Sequence, residues 1–241
     1  MQRALCIRHE SLDSLGVAPD ALRSGGLEPV VVEAWKTDGR WPELHDFDAV
    51  VVFGGAMSSV DEEHYPFLAE ERSLMRRAVD LGMPTLGICL GAQLLALACD
   101  APVTIAPERE CGFRPLRMVG EGASDAVLAP FPDGSLAFQW HEDTFDPPDG
   151  ATLLAVGATG GNQAYRVGSA LAVQFHPEIT NDELELWIVE AGDSLEAVWG
   201  REPDDFRAEI AQEIAVHNER GRAFFRAFAR EAMAAGTRRS A

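Results

Sequence analysis

The sequence is poor in positive charge. Only 20 of its 241 residues are Lys or Arg, against 39 Asp or Glu, and Lys36 is the sole lysine. The resulting formal net charge of −19 repels phosphate backbones and anionic lipid, so nucleic-acid and membrane-surface binding are poor expectations. The use of arginine in place of lysine is read as genomic composition, not function. Long apolar runs are also missing, and none approaches the roughly 18 residues that a membrane span needs. The N-terminal segment offers only residues 4–7 before Arg8, His9 and Glu10 interrupt it, so no signal peptide is predicted and the expected location is the cytoplasm. The four cysteines, at 6, 89, 99 and 111, form no Cys-x-x-Cys pair, which argues against a zinc ribbon. In a reducing compartment each is either a small buried hydrophobe or a nucleophile. No Gly-x-x-x-x-Gly-Lys-[Ser/Thr] phosphate loop occurs. Neither a metal nor a cofactor is expected.

What is present is a globular composition, 46% hydrophobic and 24% charged, of a length that suits one α/β domain. Short apolar runs at 4–8, 29–33, 49–53 and 84–88 alternate with helical stretches at 18–24, 64–81 and 91–99. Such alternation predicts a parallel sheet covered on both faces. From 102 to 175 the pattern changes to short strands at 103–106, 115–119, 136–138, 152–156, 163–167 and 170–175, separated by Gly and Pro turns. The expected fold class is therefore α/β, with a mostly parallel central sheet flanked by helices on both faces. This is a flavodoxin-like three-layer arrangement with a small antiparallel extension. Residues 1–233 read as one domain, with 203–233 an appended C-terminal helix and 234–241 a frayed tail. The apolar stripe of that helix includes Phe206, Ile210, Ile214, His217, Gly221, Phe224, Phe225 and Phe228. It packs on the protein's own sheet or docks a partner, and the first is favoured because apolar helix faces usually serve the core.

Cys89 follows an apolar strand, precedes an apolar helix and is flanked as Gly87-x-Cys89-x-Gly91. This is the spacing of a nucleophile elbow, and the helix beginning near Leu90 points unpaired N–H groups at the sulfur. Gln93, four residues on, shares a helix face with Cys89. The alternative is a buried core cysteine in a plain turn. Cys6 and Cys99 read as core, and Cys111 as a loop residue without a role. A thiolate catalyst needs a base with an orienting acceptor. His176 ends an apolar strand, Pro177 stops that strand, and period-2 alternation puts Glu178 on the same side as His176. Both then sit at a carboxyl end of the sheet, as Cys89 does. His141 is the rival base, in a polar loop; His9, His45, His64 and His217 read as surface or helix-face residues.

Three motifs, Phe53-Gly-Gly-Ala-Met-Ser58, Gly87-Ile-Cys-Leu-Gly-Ala-Gln93 and Gln174-Phe-His-Pro-Glu178, together resemble class I glutamine amidotransferase domains of the stand-alone, GMP-synthase-like kind. The resemblance spans residues 3 to 190. It implies a Cys89–His176–Glu178 triad that attacks glutamine at its side-chain amide, giving a γ-glutamyl thioester and ammonia. It also implies an oxyanion hole from the backbone of Gly55 and Leu90, and a glutamine pocket lined by Gln93. Trp140-His-Glu-Asp143 occupies the place of the family's Ser-His-Gly-Asp loop, with Trp and Glu in place of Ser and Gly. On that alignment Asp143 meets the substrate's α-ammonium. After residue 190 no ATP pyrophosphatase or synthetase domain is expected.

Three functions follow. A glutaminase would be the ammonia source of a separate synthetase; a stand-alone γ-glutamyl hydrolase or peptidase would use the same triad; a binding protein on the same fold would need no catalysis. The complete triad argues against the third. The expected partners are a small-molecule substrate, either glutamine or a γ-glutamyl compound, and a separate synthetase subunit or a second copy of the chain.

Overall fold

The computed structural model describes residues 2–11 and 15–239. Its strands are β1 (Gln2–Arg8), β2 (Leu27–Glu33), β3 (Ala49–Val52), β4 (Thr85–Ile88), β5 (Val103–Met118), β6 (Leu136–Phe145), β7 (Thr152–Gly157), β8 (Asn162–Val167) and β9 (Ala170–Val173). They form one sheet in the order β2-β1-β3-β4-β9-β8-β7-β5-β6. The pairings from β2 to β9 are parallel and those from β9 to β6 antiparallel, four of each. The predicted α/β class and its antiparallel extension are both found. The helices are α1 (Ala18–Ser24), α2 (Phe67–Asp80), α3 (Leu90–Ala98), α4 (Asn181–Ala191), α5 (Asp193–Ala197) and α6 (Pro203–Arg239). No helix among the described residues is long and apolar enough to cross a membrane.

The parallel strands are apolar on both faces because helices cover both. Ala4, Cys6, Ala49, Val51, Leu86 and Ile88 face one core with α1 and α6. Leu5, Ile7, Val50 and Val52 face a second core with α2 and α3. The candidate nucleophile and base both lie at the carboxyl edge of this half, Cys89 after β4 and His176 after β9.

Several expectations need correction. The helix predicted from 64 starts at Phe67, after Pro66. The segments 103–106 and 115–119 belong to one strand, β5, whose register against β6 shifts between Ile105 and Glu110. That shift accommodates a bulge-like irregularity, and the polar residues there gave no strand signal. Cys111 is consequently buried in β5 and not in a loop, and His141 lies within β6. The last helix runs through Gly221 unbroken and past 233 to Arg239; residues 240 and 241 lie outside the described residues. Its phenylalanines belong to the core: Phe206, Phe224, Phe225 and Phe228 are fully buried.

Candidate active site

The elbow is built by close backbone approach. Cys89 has φ +51° and ψ −107°, a conformation that a non-glycine residue rarely adopts. A side chain at Gly91 would sit 2.2 Å from the Val52 carbonyl oxygen, and one at Gly87 would sit 2.4 Å from that of Gly91, so neither position admits a Cβ. The Cys89 N–H donates to Val173 O at 2.9 Å, tying the elbow to β9, the strand that leads to His176.

His176 and Glu178 are both buried, and Nδ1 of His176 donates to Oε1 of Glu178 at 2.7 Å. The ring packs edge-on against Trp187 of α4, with centroids 5.3 Å apart. Its Nε2 is buried and has no hydrogen-bond partner among the described residues. Burial opposes protonation of this imidazole, but the adjacent Glu178 and Cys89 outweigh it and raise its pKa well above the ordinary value. By contrast, burial pushes the Cys6 and Cys111 thiols up to about 12, which leaves them inert at neutral pH.

The glycine loop after β3 closes the third side. A Cβ on Gly54 would lie 2.9 Å from Cε1 of His176 and 3.7 Å from Cβ of Cys89, so this glycine lets the loop approach both. Gly55 is wedged against Leu90, since its Cβ would meet Leu90 Cδ2 at 2.9 Å. Leu90 opens α3: the Ala92 and Gln93 N–H groups donate to Cys89 O at 3.0 and 3.1 Å, whereas that of Leu90, the first helical residue, has no intrahelical acceptor. Gln93 is buried, and its Nε2 lies 3.5 Å from Oε1 of Gln174. Asp143 of β6 accepts from Ser58 Oγ at 3.1 Å, which joins it to the glycine loop. The structure thus brings the predicted residues to one edge of the sheet. It does not bring His141 there as a base: its Nδ1 donates to Asp143 O at 3.0 Å, and its Nε2 lies 3.2 Å from Glu110 Oε2. Among the described residues no cluster of His, Cys, Asp and Glu could hold a metal ion.

Two histidines read as surface or helix-face residues are buried beside the site. His9 is 3% exposed and contacts Gly54 O and Glu71. His217 of α6 is 1% exposed, and its Nε2 donates to His176 O at 2.7 Å. Burial pushes the His217 pKa down to about 4, so the ring is neutral at pH 7. One turn on, Gly221 lies so close to Pro177 that a Cβ would be 2.0 Å from its carbonyl oxygen. Asn218 donates to Ile179 O at 3.2 Å. The C-terminal helix therefore braces the His176–Ile179 backbone from behind. The available signal for His9 was its place just after β1, at the same sheet edge; for His217 there was none beyond its position in an apolar stripe.

The comparisons with known proteins agree with this architecture. The profile of the family described as glutamine amidotransferase class-I matches residues 19–191. The glutamine amidotransferase-like protein YfeJ of Salmonella typhimurium is 30% identical over 73% of this chain and 76% of its own length. One subunit of the glutamine-hydrolyzing GMP synthase of Sulfolobus acidocaldarius is 33% identical over 66% of this chain and 80% of its own. A crystal structure of a glutamine amidotransferase from Thermotoga maritima superposes with a TM-score of 0.84 at 30% identity, covering 95% of this chain and 98% of that one. With the fold, the elbow and the three motifs in agreement, the chain belongs to the class-I glutamine amidotransferase family.

Proposed function

We propose that this chain hydrolyses the side-chain amide of glutamine through a Cys89 thioester and supplies the ammonia to a separate synthetase. The observation that carries the reading is the buried His176–Glu178 pair at 2.7 Å beside the Cys89 elbow, with a buried Nε2 that meets no hydrogen-bond partner among the described residues and a ring whose charged form Cys89 favours. In this reaction His176 takes the thiol proton, and Cys89 Sγ attacks the amide carbon. The Gly55 and Leu90 N–H groups hold the oxygen that becomes negative. As the C–N bond breaks, His176 returns its proton to the departing nitrogen, and ammonia leaves. A water molecule, deprotonated by His176, then attacks the thioester carbonyl; the C–S bond breaks, glutamate leaves and the thiol is restored. Glu178 keeps the imidazole in the tautomer with its proton on Nδ1 and stabilises the charged ring. Gln93 lines the glutamine pocket, and Asp143 receives the α-ammonium.

The relatives named as one subunit of a glutamine-hydrolyzing GMP synthase support a separate synthetase as the consumer of the ammonia. The test is release of ammonia and glutamate from glutamine, run beside a panel of γ-glutamyl peptides. Stoichiometric release of both products from glutamine is expected. Glutamate release from the peptides alone would replace this reading with a γ-glutamyl hydrolase on the same triad.

A further inference from the structure

A second buried histidine–glutamate pair lies on the other side of the glycine loop. His9 follows β1 directly, and the side chains of His9 and Glu71 are both 0% exposed. Nδ1 of His9 lies 2.8 Å from Gly54 O, and Nε2 lies 2.9 Å from Glu71 Oε2. A carbonyl oxygen only accepts, so Nδ1 must carry a proton. A further proton lies between Nε2 and Glu71, whichever of the two holds it. The next residue, Glu10, accepts from the Ala56 N–H at 2.9 Å. Consecutive residues at the end of β1 therefore hold the peptide groups on both sides of Gly55, while the Gly55 N–H itself donates to no group among the described residues.

Peptide geometry turns this contact into a functional statement. The Gly54 carbonyl and the Gly55 N–H belong to one planar peptide unit, and in the trans form they point in opposite directions. A grip on the oxygen fixes the direction of the N–H. Two adjacent glycines impose few conformational limits of their own, so a free Gly54–Gly55 peptide could rotate end over end. We propose that His9, itself oriented by Glu71, is a positioning residue that locks the Gly54–Gly55 peptide with its N–H toward the oxygen of the scissile carbonyl. This rests on the glutaminase reading above and adds to it what keeps half of the oxyanion hole formed before substrate arrives. His9 contacts no reacting atom; it acts through the peptide.

Two variants of similar size separate the contacts. In His9→Asn the side-chain amide nitrogen replaces Nδ1 and keeps the donation to Gly54 O. In His9→Gln the amide replaces Nε2, keeps the contact to Glu71 and loses that donation. Expected for H9Q is a kcat about 10²-fold below wild type, approaching the loss of one oxyanion donor, with KM little changed. H9N should recover most of that loss. Alkylation of Cys89 by iodoacetamide, which creates no oxyanion, should run at the wild-type rate in both. Equal kcat in all three proteins, equal impairment of H9N and H9Q, or slowed alkylation that parallels kcat overturns the proposal. If the variants do not fold, nitrogen NMR of the wild-type protein labelled at histidine decides: the proposal requires a protonated His9 Nδ1, and an unprotonated one overturns it. A wild-type chain that releases no ammonia from glutamine would sink the glutaminase reading itself, whereas wild-type turnover with an unaffected H9Q sinks only the role of His9.

Discussion

Gly54 lies between two buried histidine–glutamate pairs that look alike and differ in their surroundings. On one side, His176 and Glu178 are two residues apart in sequence, 2.7 Å apart in space, and leave Nε2 without a hydrogen-bond partner among the described residues. On the other, His9 and Glu71 are 62 positions apart and use both ring nitrogens on fixed groups, Gly54 O and Glu71. The first ring has a nitrogen available to move a proton; the second is saturated and can only hold a neighbour in place. On the proposed mechanism, an imidazole–carboxylate pair serves catalysis only where one nitrogen is left unspent beside the reacting atoms.

The comparison breaks most visibly at the base. His176→Ala should lower glutaminase kcat by the ~10²–10⁴-fold typical of lost general-base catalysis, and Glu178→Gln should lower it less. Steady-state assays of both variants check this order, and a more damaging Glu178→Gln would contradict it. The two glutamates should also separate in pH profiles. Glu178→Gln removes a negative charge that raises the His176 pKa, so the limb due to His176 should move to lower pH. Glu71→Gln should leave that limb in place.

Next in size is the glycine loop of the proposed oxyanion hole. Gly55→Val should lower kcat by ~10²–10³-fold, because its side chain would collide with Leu90 Cδ2 and His9 Cβ, each 2.9 Å from the position of a Cβ. Unchanged kcat in the folded variant would remove this loop from the hole.

How much of this was legible in the sequence depended on distance along the chain. The elbow could be read because Gly87, Cys89 and Gly91 lie within five residues, and the candidate base could be placed at the same sheet edge because Pro177 and Glu178 adjoin His176. The parallel half could be read because strands buried on both faces leave unbroken apolar runs, such as Ala49–Val52 of β3 and the neighbouring stretch of β1. His9 and Glu71 could not be paired, since each looks alone like a solvated polar residue and only the packing of α2 against the β1 edge joins them. Gly221 was opaque for the same reason. Its helical cost is visible locally, whereas its purpose, contact with Pro177 O, is 44 residues away.

Smaller effects test the brace behind His176. Gly221→Ala should destabilise the fold by about 1–3 kcal/mol, since a Cβ 2.0 Å from Pro177 O forces α6 away from the His176–Glu178 segment. Urea melts measure this directly, and an unchanged midpoint would mean that α6 yields without strain. His217 adds an acid-side signature. Its folded pKa of about 4 lies below the ordinary imidazole value near 6.5, so the unfolded chain binds the extra proton between these limits. Stability should fall as pH drops from about 6.5 to about 4, by on the order of 3 kcal/mol in total from this residue. His217→Leu should flatten that limb, and identical slopes in both proteins would place the acid sensitivity elsewhere.

The central claim is that Cys89, alone of the four cysteines, is the nucleophile toward a γ-glutamyl carbonyl. Its most direct test is labelling with the glutamine analogue 6-diazo-5-oxo-norleucine followed by peptide mass mapping. The account predicts one adduct per chain, on Cys89, blocked by glutamine and lost in Cys89→Ala. An adduct on Cys6, Cys99 or Cys111, with turnover surviving in Cys89→Ala, would contradict it.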